Sequence, residues 1–452
     1  MLFRKKIETG HRRRTVRQTP AVVLKHLVIK RLHGYLSKEV ALNERITLLV
    51  GINGSGKTSV LNVLNWLLVP SLADLCTVEF EELALAFRRH HKDYVIRCTQ
   101  SDKQLVLQVN GAGELRPLRV VLFRPARELP FGALPDFREH YATLRPEKHE
   151  AETWKFLAAL PKPVVLGLDR RARPTRPVRR EGSGHDHGTD PVQEVQRLAQ
   201  DGFAEYRNEA IRFNDELKDK ILLLAFDVEI SRKPSTRRRI LISDDKIATL
   251  EERVRKYLEQ SAVVKSATAR GEHVSQAVAG YFKQIRASAQ AGSEAENRAQ
   301  QFNRLQRLIS FFEEFEIRSE QAYRRIHAYL TETNQFLRDS AKCLLFTART
   351  NELVFDLLDK QGKPQGRTRS LELLSSGEKQ ILVLLTHLSF DSGHLFILDE
   401  PELSLHPKWQ DEFLAAVDKL MAARTQLIIA THSPAIVGKR TESCVPLLPY
   451  HP

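Results

Sequence analysis

The chain has 452 residues, 42% of them hydrophobic, and a formal net charge of +14. This length predicts a folded protein of about two to four structural units with enough apolar residues for a buried core. No apolar run has the length of a membrane helix, the amino terminus lacks the apolar stretch of a secretion signal, and the four cysteines have neither disulfide-framework nor zinc-knuckle spacing. We therefore expect a cytoplasmic protein with no membrane partner.

The first motif along the chain is a phosphate-binding loop. The short apolar run Ile46–Val50 precedes it, and apolar residues at helical spacing follow from Ser59. Residues 51–58 read G-I-N-G-S-G-K-T, which fits G-x-x-x-x-G-K-[ST] between a strand and a helix. We predict a bound nucleoside triphosphate, ATP, with Mg²⁺ on the hydroxyl of Thr58. The expected nucleotide-binding residues are Gly51, Asn53, Gly54, Ser55, Gly56, Lys57 and Thr58.

The middle of the chain is predicted to be mainly helical. Pro163–Arg171 reads as a short strand, and residues 172–190, with their prolines, glycines, His185 and His187, are typical of an exposed mobile loop and not of a metal site. From Pro191 to Asp227, and again from Ser275 to about Cys343, apolar residues recur at helical steps. Two arrangements fit these helices: an antiparallel hairpin, coiled or not, and an ordinary helical subdomain.

Two later segments supply acids and a histidine. Leu395–Glu400 is a short apolar run that ends in two carboxylates, and we expect Asp399 to hold Mg²⁺ and Glu400 to polarise the attacking water. Gln426–Thr431 is a second apolar strand, followed by His432 at its carboxyl end, where ligands bind in open α/β sheets. We predict Glu400 and His432 to be the catalytic residues.

Together these motifs resemble the ABC-type ATPase superfamily, in its non-transporter branch of SMC, RecF and OLD-like proteins. Gly51–Thr58 correspond to Walker A, Leu374–Glu378 to the signature, Leu395–Glu400 to Walker B, 404–406 to the D-loop and His432 to the switch histidine. The resemblance implies an α/β fold: a split ABC-type P-loop ATPase head with a helical, potentially coiled-coil, insertion. It adds four residues to the expected nucleotide-binding set, namely Ser375, Ser376, Gly377 and Glu378.

This sequence departs from the family pattern in three places. Ser376 occupies the first glycine position of the signature, His406 stands where transporters carry Asp, and His33 stands where relatives often carry Arg. The adenine contacts are therefore open. The Q-loop glutamine is also open among Gln100, Gln104 and Gln108.

The resemblance also implies a domain plan and a trans mechanism. We divide the chain into a basic amino-terminal tail (1–20), a first ATPase lobe with Walker A (21–170), a mobile basic loop (171–190), a helical insertion (191–345) and a second ATPase lobe with the signature, Walker B and switch histidine (346–452). In this superfamily the signature of one subunit closes over the nucleotide of another. The resemblance therefore implies a homo-oligomer, at least a dimer, in which Ser375 and Gly377 contact the γ-phosphate held by the partner.

Positive charge is concentrated in three segments: Met1–Arg17, Arg170–Arg180 and Arg232–Arg239. Such clusters bind DNA or RNA through phosphates, or they are simply solvated faces and tails. Both interpretations stay open.

Three functions fit these observations. The leading one rests on resemblance to the ATPase component of anti-phage systems such as PARIS and Septu: an oligomeric sensor and scaffold for a separate effector, a nuclease or toxin. We expect no nuclease domain within this chain, because the TOPRIM domain that follows the switch histidine in OLD proteins has no counterpart here. The second is a RecF- or SMC-like ATPase that clamps DNA in repair or organisation. The third is nucleotide binding with slow or absent turnover.

Overall fold

A computed structural model describes residues 22–167 apart from 112, 114, 130, 131 and 133, residues 190–226, residues 295–449 apart from 348 and 392, and the single residues 252, 280 and 283. The basic clusters, His185 and His187 lie outside the described residues. The chain divides into two units, the first containing residues up to Ala199 and from Tyr329 onward, and the second containing Gln200–Ala328.

A five-stranded parallel sheet forms the centre of the first unit. Its strands lie in the order β13, β3, β12, β11, β8, and every neighbouring pair is parallel. Strands covered on both faces read as continuous apolar runs, and β3, β11 and β12 are almost entirely buried. The strands are β3 (Ile46–Val50), β8 (Val164–Leu166), β11 (Leu395–Asp399), β12 (Gln426–Thr431) and β13 (Cys444–Pro446).

The second sheet of this unit is antiparallel and has six strands in the order β2, β1, β4, β5, β6, β7. Buried and exposed residues alternate in it, as Ile96, Arg97 and Cys98 show, because one face covers the core and the other meets solvent. The strands are β1 (Val22–Leu32), β2 (Leu36–Ala41), β4 (Glu82–Arg89), β5 (Lys92–Gln100), β6 (Gln104–Asn110) and β7 (Leu118–Val121).

Helix α1 (Lys57–Leu68) shares one hydrophobic core with both sheets. The core contains Leu64 of α1, Leu27 and Leu85 of the antiparallel sheet, and Ile428 of the parallel sheet. Because α1 begins directly after the phosphate-binding loop, this packing fixes the position of that loop. Helix α2 (Leu72–Thr77) comes directly after α1 in the chain. Helices α3 (Leu134–Thr143) and α4 (Ala151–Ala158) come between β7 and β8.

Two long helices, α5 (Pro191–Phe226) and α6 (Ala295–Leu337), contain most of the described residues of the second unit. Partners that advance along α5 recede along α6, so the two helices run antiparallel. The paired atoms are Tyr206 and Tyr323 with ring centroids 5.3 Å apart, Glu216 Oε2 and Arg318 Nη1 at 2.7 Å, and Lys220 Nζ and Glu314 Oε2 at 2.6 Å. The helices agree with those predicted, and their pairing fits the hairpin alternative.

The carboxyl-terminal half of the first unit begins with a two-stranded antiparallel sheet, β9 (Lys342–Phe346) with β10 (Leu353–Leu357). Three helices then alternate with the strands of the parallel sheet: α7 (Ser376–Phe390), α8 (Pro407–Leu420) and α9 (Pro434–Val437). The described structure is therefore a mixed α/β P-loop head with a helical insertion, as predicted. None of the described helices is both long and apolar enough to cross a membrane.

Candidate nucleotide site

The loop between β3 and α1 has a backbone that requires glycine. Gly54 and Gly56 adopt φ angles of 82° and 91°, which residues with a Cβ rarely adopt. A Cβ on Gly51 would lie 2.6 Å from the carbonyl oxygen of Leu447. The loop leads directly into the first turn of α1 at Lys57, where unpaired N–H groups and the helix dipole favour an anion.

Lys57 lies across this loop and is 5% exposed. Its Nζ donates to the carbonyl oxygens of Gly51 at 2.9 Å and Ile52 at 3.2 Å. Both partners are neutral, so the ammonium charge is not neutralised within the loop, and an ammonium has three donors. This arrangement suits binding of a polyphosphate.

Thr58 and Asp399 meet beside the loop, although one begins α1 and the other ends β11. Burial is the largest effect on the Asp399 carboxylate and raises its pKa. The Thr58 hydroxyl, which interacts with this carboxylate, and the charge of Lys57 lower the pKa, while the charges of Glu400 and Glu402 raise it, and the net pKa is raised. Asp399 Oδ1 is buried and has no hydrogen-bond partner in the described part of the chain. A hydroxyl and a carboxylate of this kind are hard oxygen ligands that fit Mg²⁺.

Glu400 and His432 lie at neighbouring strand ends. The backbone N–H of Glu400 donates to Ala430 O at 2.8 Å, and Glu400 adopts a φ of 49°, a left-handed conformation that is costly for a side chain other than glycine. Its Oε1 lies 3.8 Å from His432 Nδ1, and the two side chains are 21% and 41% exposed. The predicted catalytic pair is thus brought together and accessible.

Ser375 is the N-cap of α7. Its Oγ accepts from the N–H of Glu378, and Glu378 Oε2 accepts from the N–H of Ser375 at 2.7 Å, which forms a capping box. Ser375 and Ser376 are exposed. A Cβ on Gly377 would lie 2.6 Å from Ser404 O, so only glycine allows this close approach of α7 to the loop after β11.

The role expected for Glu378 as a nucleotide ligand does not fit its position. Its side chain is 3% exposed, and its oxygens bond Lys342 Nζ at 2.8 Å and Ser340 Oγ at 2.5 Å in addition to the Ser375 N–H. These bonds satisfy a buried carboxylate, which would otherwise be costly. Glu378 is directed into the protein and holds the start of α7 in place.

Four of the predicted site elements come together in the described part of the chain. They are the loop that contains Lys57, the pair formed by Thr58 and Asp399, the side chain of Glu400, and the side chain of His432. Within the described part of the chain, no hydrogen bond or ion pair connects Ser375–Gly377 to Gly51–Thr58. The signature segment therefore presents its serines to solvent, away from contacts with its own phosphate-binding loop.

Comparison with known families gives one match that covers most of the chain. Residues 23–437 match the family model described as "AAA ATPase domain". The chain belongs to this AAA ATPase domain family. The match includes both halves of the candidate site, and the chain is accordingly an ATPase domain.

Curated relatives of this AAA ATPase domain match over short segments. Protein ea59 of Escherichia phage lambda is 39% identical over 75 residues, which is 16% of this chain and 14% of that protein. UvrABC system protein A of Streptococcus pneumoniae serotype 4 is 38% identical over 66 residues, 14% of this chain and 7% of that protein. The chain thus spans a small fraction of the length of these relatives.

Solved structures similar to it include SMC heads. The Smc head domain of Pyrococcus furiosus, with an extended coiled coil and bound to the C-terminal domain of ScpA, has a TM-score of 0.40 at 13% identity, covering 94% of this chain and 93% of that chain. The SMC head domain of Thermotoga maritima has a TM-score of 0.34 at 12% identity, with 93% and 92% covered.

One residue of the site was missed by the sequence interpretation. Glu402 is 5% exposed, and its Oε1 accepts from Thr431 Oγ1 at 2.7 Å and from the His432 N–H at 2.8 Å. The available signal was a third carboxylate, two residues after Glu400. Sequence alone did not show that it turns inward.

The three candidate Q-loop glutamines all lie on the antiparallel sheet of this AAA ATPase domain. Gln100 ends β5, and its Nε2 donates to Leu75 O and Val78 O, both at 3.0 Å. Gln104 begins β6, and Gln108 lies within it. Because the Gln100 amide is used inside the protein, it closes the turn between α2 and β4 and is not free for a nucleotide.

The segment expected near adenine forms the turn from β1 to β2. Arg31 and His33 have φ angles of 52° and 55°, and the His33 N–H donates to Glu79 O at 2.7 Å.

Among the described residues, no group of three or more His, Cys, Asp or Glu side chains is arranged to hold a metal ion by itself. A divalent cation therefore needs phosphate oxygens or water beside Thr58 and Asp399.

Proposed function

We propose that this AAA ATPase domain binds ATP with Mg²⁺ and hydrolyses it in a site that a second copy of the chain completes. The observation that carries the proposal is the convergence of Lys57, Thr58, Asp399, Glu400 and His432 at adjoining strand ends of one parallel sheet. This is the edge at which open α/β sheets bind ligands.

Binding rests on the loop and on Lys57. The backbone N–H groups of Gly54, Ser55 and Gly56 surround the phosphates, and Lys57 exchanges its bonds to the loop carbonyls for bonds to the β- and γ-phosphates. Those loop carbonyl bonds keep the Lys57 side chain in place before the nucleotide arrives. The loop is thus preorganised for an anion.

Thr58 and Asp399 are the residues that would hold the metal. The Asp399 Oδ1 atom, which has no hydrogen-bond partner among the described residues, and the Thr58 hydroxyl would bind the cation, and its charge would offset the penalty that burial imposes on this carboxylate. When bound, Mg²⁺ neutralises charge on the phosphate oxygens.

Chemistry is assigned to Glu400 and His432. The partly exposed Glu400 carboxylate orients and polarises the attacking water, and the His432 ring contacts the γ-phosphate or that water. The left-handed backbone at Glu400 aims its side chain away from the buried strand that it follows.

Trans completion is supported by the exposed signature and by apolar side chains beside the motifs. Leu373, just before Ser375, is 67% exposed; Ile52 in the phosphate-binding loop is 65% exposed; and Leu403 in the loop after β11 is 40% exposed. Exposed apolar residues of this size that lie beside one functional site mark interaction surfaces. We propose that a homo-oligomer, at least a dimer, buries them when Ser375, Ser376 and Gly377 approach the nucleotide of the partner.

The proposed biological role is that of a sensor and scaffold in anti-phage defence, in which the oligomer holds a separate nuclease or toxin. It is supported by the sequence resemblance to the ATPase components of PARIS- and Septu-type systems. Nucleotide binding then also drives assembly, and hydrolysis reverses it. Purification of the tagged protein from its native host, with identification of co-purifying proteins and nucleic acid, tests this role; recovery of nucleic acid without any effector protein would contradict it.

The alternative is a DNA-clamping ATPase, which the net charge of +14 favours. A clamp requires that ATP raise the affinity for duplex DNA with a steep dependence on salt. Binding of a fluorescent duplex, measured with and without ATP at several salt concentrations, decides between the two roles.

The ATPase proposal is tested by phosphate release and nucleotide binding with purified full-length variants. We expect Lys57→Ala to abolish binding of ATP, and Glu400→Gln to retain binding and lose hydrolysis. Normal ATP binding by Lys57→Ala would overturn the assignment of the loop. Unchanged phosphate release by Glu400→Gln would remove Glu400 from catalysis.

A further inference from the structure

The carboxylate of Glu402 contacts both the backbone and the side chain of His432, the histidine of the candidate site. One oxygen, Oε1, accepts from Thr431 Oγ1 at 2.7 Å and from the backbone N–H of His432 at 2.8 Å, and it lies 3.3 Å from His432 Nδ1. Two hydrogen bonds from consecutive residues therefore converge on a single oxygen of a buried carboxylate, and the Nδ1 atom of the same histidine lies close to it.

The surroundings of His432 make this contact important. The His432 side chain is 41% exposed, so packing alone does not fix the ring. Two carboxylates lie close to its Nδ1 atom: Glu402 Oε1 at 3.3 Å and Glu400 Oε1 at 3.8 Å. Glu402 is thus the nearer of the two carboxylates to Nδ1, and the only one within 3.5 Å of it.

The backbone on each side of His432 is held as well. Thr431 Oγ1 donates to Glu402 and accepts from the Ser433 N–H at 3.0 Å, and Ser433 Oγ donates to Gln410 Oε1 at 2.6 Å. Gln410 Nε2 in turn donates to Leu405 O at 3.1 Å. These hydrogen bonds connect the end of β12 to the loop after β11. They hold the backbone of His432, and with it the Cα–Cβ bond from which the ring extends.

We propose that Glu402 is a positioning residue that keeps the hydrogen of the His432 ring on Nδ1 and leaves Nε2 as the ring nitrogen that acts on the nucleotide or its attacking water. The environment of its two ring nitrogens decides which one carries the hydrogen in a neutral histidine. Because an ionised carboxylate only accepts hydrogen bonds, Glu402 favours the hydrogen on Nδ1, the nitrogen that it faces. This inference rests on the proposed ATPase function and adds a residue to it.

The two glutamates then have separate tasks. The Glu400 side chain is 21% exposed and lies farther from Nδ1, at 3.8 Å, so it is the carboxylate that an attacking water can reach. The Glu402 side chain is 4% exposed, its Oε1 accepts from Thr431 and His432, and its Oε2 is buried without a hydrogen-bond partner in the described part of the chain, so this carboxylate is directed into the protein and not toward the nucleotide. Exchange of either carboxylate should lower the rate for a different reason.

The test compares Glu402→Ala and Glu402→Gln with a matched control, Glu332→Gln. Glu332 is also a buried glutamate, 8% exposed as a side chain, and it pairs with Lys419 at 2.9 Å outside the candidate site. For the full-length proteins, the measurements are kcat and KM for ATP, the melting temperature, and the ring ¹⁵N chemical shifts of His432, assigned by comparison with His432→Asn.

We expect Glu402→Ala to lower kcat at least tenfold with KM within twofold, because Lys57, Thr58 and Asp399 are unchanged, and to shift the His432 spectrum toward hydrogen on Nε2. Glu402→Gln, whose amide oxygen still accepts hydrogen bonds, should retain the wild-type ring spectrum and more of the rate. Glu332→Gln should change the melting temperature without changing kcat or the spectrum.

Two results would overturn the inference: an unchanged His432 spectrum in Glu402→Ala, or a loss of kcat in Glu332→Gln equal to that in Glu402→Ala. These outcomes are separate from failure of the ATPase proposal, which Glu400→Gln and Lys57→Ala report. If those two variants behave as expected while Glu402→Ala retains the wild-type spectrum, the ATPase assignment stands and only the role of Glu402 is lost.

Discussion

Thr58 interacts through its hydroxyl with the carboxylate of Asp399, although the two residues come from opposite halves of the sequence. Thr58 lies in α1, which follows β3, and Asp399 ends β11. Strand β12 lies between β3 and β11, so the contact depends on the strand order of the parallel sheet. The pairing is one of several contacts between the two ends of the chain, which also share the β3–β12 pairing and one hydrophobic core. A cation placed there is shared by both halves of the chain.

Asp399→Asn is expected to raise the melting temperature of the nucleotide-free protein at neutral pH. Burial raises the pKa of Asp399 in the folded state, so the ionised carboxylate opposes folding, and stability falls as the pH rises from the usual aspartate pKa through the raised one. Asparagine removes this cost with little change of shape. Thermal denaturation between acidic and neutral pH measures the effect.

The same variant should lose the additional stabilisation that MgATP gives the wild type, because the amide is a poor ligand for Mg²⁺. Asp391→Asn is a suitable control. Asp391 directly follows α7. Burial by itself raises the pKa of Asp391, but hydrogen bonds from His387 and the Gly393 N–H outweigh it and lower that pKa, so the exchange should lower stability above the usual aspartate pKa. Equal shifts of the same sign in both variants would contradict the assignment of Asp399.

Lys342→Met should destabilise the protein by on the order of 3 kcal/mol, because it leaves the buried Glu378 carboxylate without its cation. Burial by itself raises the pKa of Glu378, but hydrogen bonds from Lys342, Ser340 and the Ser375 N–H outweigh it and lower that pKa. A lowered folded-state pKa gives stability that is present above the usual glutamate pKa and is lost as the pH falls through the lowered one.

Urea unfolding of Lys342→Met at several pH values checks this expectation. The difference from wild type should be largest near neutral pH and should shrink in acid, where Glu378 is protonated in both proteins. Lys408→Met, which removes an exposed pair with Asp339, is the control and should change the free energy of unfolding far less than Lys342→Met does. A difference that does not change with pH would show that Lys342 contributes through packing.

Gly377→Ala is expected to cost about 1–3 kcal/mol, since the new Cβ would lie 2.6 Å from Ser404 O, a backbone atom that cannot turn aside. It should also weaken hydrolysis, because α7 carries Ser375 and Ser376. Gly132→Ala, where a Cβ meets nothing within 4 Å, should be neutral. A fully stable Gly377→Ala would mean that the loop after β11 yields.

Much of the head could be predicted from the sequence because its motifs are local. The strand, loop and helix around Lys57, the apolar strand ending at Asp399 and the strand before His432 each depend on consecutive residues, and all three are present. Periodicity also located the helices over 191–226 and 295–337. Local propensity and the fold agree in these segments.

The inward carboxylates could not be predicted, because their direction depends on residues far away in sequence. Glu378 follows the signature pattern, yet Lys342 and Ser340 hold its side chain inside the protein. Glu402 resembles its neighbour Glu400 in sequence, and only the position of Thr431 at the end of β12 makes it an acceptor. Such contacts follow from how distant segments pack and not from the spacing of a motif.

Leu373→Asp and Leu403→Asp should each weaken the ATP-dependent association of the chain, because both leucines are exposed beside the segments proposed to face a partner. A charge buried at an interface without a counter-charge is strongly unfavourable. Sedimentation velocity with Glu400→Gln as background and with ATP present measures association without turnover. Val121→Asp, at a residue 77% exposed on the edge of the antiparallel sheet, is the control and should associate like the parent.

The rate of ATP hydrolysis should fall in the same variants that lose ATP-dependent association. A site completed in trans loses phosphate release together with association, so both leucine variants should show a rate that increases with protein concentration over a higher range than wild type. ATP binding by the isolated chain should persist, since Lys57 and the phosphate-binding loop are unaltered. Full phosphate release by a Leu373→Asp protein that sediments as a monomer would show that one copy contains the complete site.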